Sequence, residues 1–101
     1  MSIYLTDKLR LVTNGVFLHW CAGCLKSHEI DVFNENHHCW TFNGNIDYPT
    51  FRPSMKIHDQ ELMVCHYNLV EGVVHYFGDC THKLAGKSVA LSLIPKGALL
   101  N

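Results

Sequence analysis

Apolar and polar residues alternate with a period of two along most of this chain, and no long stretch sustains the 3.6-residue period of an amphipathic helix. Ile3–Val12 and Gly15–Trp20 are two such stretches, separated by Thr13-Asn14-Gly15. Asn-Gly tolerates the positive φ that a tight hairpin turn demands, so the two read as antiparallel strands. His28–Phe33 alternates again, with Ile30 and Val32 on one face and Glu29, Asp31 and Phe33 on the other. Asn34–His38 is polar and loop-like, and Cys39-Trp40-Thr41-Phe42 reads as a short strand. Pro49 and Pro53 remove backbone donors from Tyr48–Ser54, which predicts an ordered loop packed by its own aromatics. Leu62–Val70 and Val73–Asp79 flank the compact Glu71-Gly72 turn and form the clearest hairpin. Lys83–Lys87 reads as one helical turn, and Ser88–Ile94 as a last strand. The expected fold is a small β-rich domain spanning residues 1–101, all-β to α+β, of zinc-ribbon type, with antiparallel hairpins around one metal site.

Length and composition sharpen that picture. A chain of 101 residues has room for one domain. A domain of this size buries only about 60–70% of the surface its unfolded chain exposes, so a metal staple would matter to its stability. With 48% hydrophobic and 17% charged residues, the chain should fold rather than remain disordered. Eight Lys and Arg against nine Asp and Glu give a net charge of −1 without a basic stripe, which argues against a phosphate-binding surface. No run is apolar for the roughly 18 residues a membrane span needs, and Met1–Arg10 lacks the pattern of a signal peptide, so the expected location is the cytoplasm.

Five cysteines cannot all pair within one chain, and eight histidines accompany them. Both counts favour a metal over a disulfide framework. Cys21-Ala22-Gly23-Cys24 follows a strand, and a tight turn there brings both thiolates to one side. Zinc needs four such ligands in a tetrahedron, so a second pair must come from elsewhere. If Val70 pairs with Val73, the hairpin register puts Cys65 and Cys80 on a common face. The expected ligands of a zinc ion are therefore Cys21, Cys24, Cys65 and Cys80, with His82 the leading substitute and His66 the next. His28 is expected to hydrogen-bond a ligand sulfur, His19 and Cys39 to be packed strand residues, and His37, His38 and His58 to be solvated.

Trp20-Cys21-x-Gly23-Cys24 with His28, Trp40-x-Phe42-Asn43-Gly44, Pro49-Thr50-Phe51-x-Pro53-Ser54, Cys65-His66 and Gly78-Asp79-Cys80-Thr81-His82-x-Leu84-Ala85-Gly86 together resemble a family of small bacteriophage and prophage proteins. The resemblance runs from about Phe17 to Val89 and implies a phage origin and a zinc-bound fold, but no reaction. Some members carry the label ammonia monooxygenase, which does not suit a chain without membrane-spanning stretches. Ala22 and Leu25 stand where that family usually has Pro and Gly, and Leu25 makes a left-handed backbone there less comfortable.

Small size and near-neutral charge point to an accessory role: a zinc-stapled module, rather than an enzyme, that docks on a host or phage protein, the Tyr48–Phe51 aromatics being a candidate surface. Two alternatives stand beside it. One is a small zinc-dependent hydrolase, in which His66 and Asp79, one diagonal step apart, form an acid/base pair with His82 close by. The other is a nucleic-acid-binding zinc ribbon, which the charge does not support.

Overall fold

A computed structural model of the chain describes residues 3–13, 15–32, 39–58 and 63–96. Each expected hairpin becomes a pair of neighbouring strands. β1 (Ile3–Tyr4), β2 (Arg10–Thr13), β3 (Val16–Cys21) and β4 (Lys26–Asp31) form one antiparallel sheet in that order. β5 (Thr41–Phe42), β6 (Phe51–His58), β7 (Val64–Val70), β8 (Val73–Tyr76) and β9 (Ser88–Ala90) form a second, also in chain order. The domain is all-β, with no helix among the described residues. Around Lys83–Lys87 there are only tight turns, the Ala85 amide bonding the His82 carbonyl and the Lys87 amide that of Leu84.

Three local departures from the alternation pattern have identifiable causes. The expected Ile3–Val12 strand folds back on itself, because the Leu5 and Thr6 amides both reach the Leu9 carbonyl and the Thr6 hydroxyl accepts from the Lys8 and Leu9 amides. Phe51–Ser54 is the start of β6 rather than a loop. Pro53 is tolerated there because the ladder to β7 is interrupted: Phe51 pairs with Leu69, and the next pair is Met55 with Tyr67. The Val70–Val73 register holds as far as Tyr67 and Tyr76, after which the chain makes a tight turn, the Cys80 amide bonding the Phe77 carbonyl. At the tip of that hairpin Glu71 and Gly72 both have positive φ, as a two-residue turn joining right-twisted strands requires.

The sheets share one core. Phe17, Cys21 and Ile30 of the first pack with Phe51, Met55, Cys65, Tyr67, Leu69, Val74 and Tyr76 of the second. The rings of Phe17, Phe42 and Phe51 form an aromatic junction between the sheets, with centroids 4.7 to 5.4 Å apart. Each such ring pair adds about 0.5–1.5 kcal/mol beyond its buried area. Tyr67 is fully buried, and its hydroxyl meets His19 Nε2 at 2.6 Å across the sheets.

Candidate functional site

The Cys21–Cys24 knuckle is the turn between β3 and β4, whose last pair is Cys21 with Lys26. The Leu25 amide bonds the Cys21 carbonyl at 2.8 Å, the Cys24 amide donates to Cys21 Sγ at 3.3 Å, and Leu25 takes the left-handed φ of 58°. Cys65 enters from β7 with its Sγ 3.7 Å from that of Cys21 and 3.4 Å from His82 Nε2. A Cβ on Gly23 would collide with the His82 ring, so the glycine of the knuckle is what lets the imidazole approach. Cys21, Cys24, Cys65 and His82 each offer a ligand atom within 4.8 Å of the others, and together could hold a metal ion.

Cys80 is not in this group, although the hairpin register leads one to expect it there. The turn at Phe77–Cys80 interrupts the ladder, and the Cys80 thiol bonds the backbone of His66 instead, accepting from its amide and donating to its carbonyl, both at 3.2 Å. Thr81 then resumes contact with Val64, which carries His82 in toward Cys65. Cys21 is the most acidic thiol of the cluster. The Cys65 hydrogen bond pulls its pKa far down against the opposing effect of burial, helped by His28 and the Tyr76 hydroxyl, which lies 3.1 Å away. Cys65 moves up, because it donates to Cys21 and is buried.

His28 is buried and helps hold the Cys21 pKa down, but it does not make the expected hydrogen bond to a sulfur of the cluster, and its Nε2 is without a hydrogen-bond partner among the described residues. His19 is fully buried, and burial, reinforced by His28, lowers its pKa to about 4. His58 is exposed, while His37 and His38 lie outside the described residues. Tyr48 is exposed, whereas Phe51 belongs to the core.

A second constellation lies on the opposite face of β7. Lys56 pairs with His66, and strand alternation puts Ser54 and Lys56 on the His66 face while Met55 and Ile57 face Tyr67 and Cys65. Ser54 Oγ is 3.4 Å from His66 Nε2, and His66 Nδ1 is 3.2 Å from both carboxylate oxygens of Asp79. Asp79 belongs to the same short turn that displaces Cys80. Its slight desolvation raises its pKa, but the His66 hydrogen bond and charge, with the Lys56 ammonium 3.6 Å away, leave it below the ordinary carboxylate value. The Phe77 ring stacks on His66 with centroids 4.1 Å apart. Beside Ser54 is a cavity of about 500 Å³, also lined by Arg52, Pro53, Asn68, Phe77 and the half-buried Cys39.

The His66–Asp79 pairing is the one anticipated from the hairpin. Ser54 is not anticipated, because two prolines disguise its strand; the alternation Ser54-Met55-Lys56-Ile57 is the signal that points to its face.

Fold and site thus define a small all-β protein with a three-cysteine, one-histidine cluster on one face of a strand and a Ser-His-Asp series on the other. The chain belongs to the family described as bacterial ubiquitination-like system serine protease (BubE), whose model matches residues 2–77. That description names neither a phage nor zinc. No curated protein and no solved structure matches the chain. No helix among the described residues is long and apolar enough to cross a membrane.

Proposed function

We propose that this protein is a serine hydrolase that cleaves an acyl bond, amide or ester, in a protein substrate of a bacterial ubiquitination-like system. Ser54 is the nucleophile, His66 the general base and acid, and Asp79 the carboxylate that orients the imidazole. The observation that carries this reading is the series Ser54 Oγ, His66 Nε2, His66 Nδ1 and Asp79, with contacts of 3.4 and 3.2 Å. It agrees with the printed name of the family. A first contact of 3.4 Å is long for a hydrogen bond, and such contacts commonly tighten when substrate binds.

The chemistry follows from the donors and acceptors. Asp79 accepts the Nδ1 proton of His66, which leaves Nε2 as the acceptor. As Ser54 Oγ bonds to the acyl carbon, its proton passes to Nε2. His66 then returns that proton to the departing amine or alcohol, leaving an ester on Ser54. Water, deprotonated by the same nitrogen, attacks that ester, releasing the acid and restoring Ser54. The Asn68 carboxamide, which lines the same cavity, supplies a hydrogen bond to the oxyanion.

The metal in this reading is zinc, held by Cys21, Cys24, Cys65 and His82. Three cysteines and a histidine would supply the full donor set of a structural zinc site, whereas a catalytic zinc keeps a position for water. The zinc-dependent hydrolase alternative is therefore not favoured: Ser54 supplies the nucleophile and the ion holds the fold. A purely docking role leaves the relay unexplained.

The experiment is a comparison of wild-type protein with Ser54→Ala on 4-nitrophenyl butyrate, at matched metal content and melting temperature. Wild type should release 4-nitrophenol well above the buffer rate, and the variant should not. Equal rates would refute the reading.

A further inference from the structure

The cavity beside Ser54 has a chemical bias. Among the described residues that line it, Arg52 is cationic and none is acidic. Arg52 is exposed, its backbone is fixed by pairing with Thr41, and its guanidinium has no ion-pair or hydrogen-bond partner among the described residues. The nearby Lys56, by contrast, is engaged with Asp79 at 3.6 Å. Pro53 and the partly exposed Phe77 give the cavity apolar walls, and Phe77 is at the same time stacked on His66. A single residue separates charge from nucleophile: Arg52 and Ser54 lie on either side of Pro53 in the interrupted stretch of β6.

A guanidinium left free at the rim of an apolar cleft matches a carboxylate, whose two oxygens fit its fork of donors. We propose that this cavity is a specificity pocket for a substrate segment bearing an acidic side chain next to the scissile acyl bond, with Arg52 as the charged contact and Pro53 and Phe77 packing the aliphatic part. The proposal rests on Ser54 being the nucleophile, and it adds the substrate class that the same site takes.

Tripeptide thiobenzyl esters with Glu, Gln or Lys placed in turn at each position test it. In wild type, kcat/KM for the Glu ester should exceed that for its Gln counterpart by about fivefold at one position or more, the size expected of a partly exposed ion pair. Raising the salt concentration should shrink that ratio. Arg52→Lys should keep the preference, Arg52→Ala should bring the Glu/Gln ratio close to one, and Arg52→Glu should favour the Lys ester. Ser54-dependent hydrolysis that ignores substrate charge, or a Glu/Gln ratio unchanged in Arg52→Ala, overturns the pocket and leaves the nucleophile standing. If wild type hydrolyses none of the esters beyond the Ser54→Ala background, the nucleophile itself is wrong and the pocket falls with it.

Discussion

Cys65 and His66 are consecutive on β7 and face opposite ways: the Cys65 sulfur is 3.4 Å from His82 Nε2, and the His66 imidazole is 3.2 Å from Asp79. Their partners are also joined, since Asp79 and His82 belong to one short stretch after β8. The Cys65–His82 half of the cysteine–histidine cluster and the His66–Asp79 half of the relay are therefore two sides of the same pair of chain segments. Whatever fixes His82 against Cys65 also holds Asp79 against His66.

Removal of the metal should abolish both fold and activity. Apparent binding free energies of structural zinc are about 10–16 kcal/mol, comparable to or larger than the whole stability of a small domain. Elemental analysis should find one zinc per chain in wild type, Cys39→Ser and Cys80→Ser, and much less in Cys21→Ser, Cys24→Ser and Cys65→Ser. Loss of zinc from Cys80→Ser with retention in His82→Ala would reverse the assignment of the fourth ligand.

Gly23→Ala tests the packing of the knuckle on His82. The added methyl meets the imidazole, so the ring or the turn must shift. Overpacking of this kind costs about 1–3 kcal/mol. Competition with a chromophoric chelator should show weaker zinc binding; unchanged affinity would mean that His82 does not sit over Gly23.

Asp79→Asn should lower kcat by about 10⁴-fold, as expected where an amide imposes the wrong imidazole tautomer, with the metal retained. The pH dependence has a definite sign. Asp79 titrates below its ordinary value, so its contribution to stability is full above the unfolded carboxylate range and is lost as pH falls through the lowered value. Acid titration of the Asp79 carboxyl carbon by NMR should show that lowered midpoint; a midpoint at or above the ordinary value would separate Asp79 from His66.

Asn68→Ala should cost about 10²–10³-fold in kcat with little change in KM, the loss seen when a single oxyanion donor is removed. Steady-state kinetics on an activated ester decide it. A rise in KM at constant kcat would make Asn68 a binding residue instead.

Much of this architecture is legible in the alternation of side chains. The Glu71-Gly72 hairpin, the knuckle after a strand and the facing of His66 toward Asp79 all follow from period-two patterning and turn chemistry. Two features are not legible. Cys80 and His82 are both plausible ligands by composition, and it is the Phe77–Cys80 turn, which interrupts the ladder beyond Tyr76, that brings His82 rather than Cys80 into the group that could hold an ion. Ser54 is hidden for a related reason. Pro53 reads as a strand breaker, yet a register shift between Phe51 and Met55 absorbs it and turns Ser54 to the face of His66. In both cases an irregularity in a ladder, invisible to periodicity, sets the site.

The most direct measurement is covalent labelling with a fluorophosphonate, which phosphonylates an activated serine by displacing fluoride from phosphorus. Intact-mass and peptide-mapping spectrometry of the zinc-loaded protein should show a single adduct on Ser54, absent from Ser54→Ala and strongly slowed in His66→Ala. No adduct on folded, zinc-loaded wild-type protein, or an adduct on another residue at an equal rate in Ser54→Ala, would contradict the assignment of Ser54 as the nucleophile.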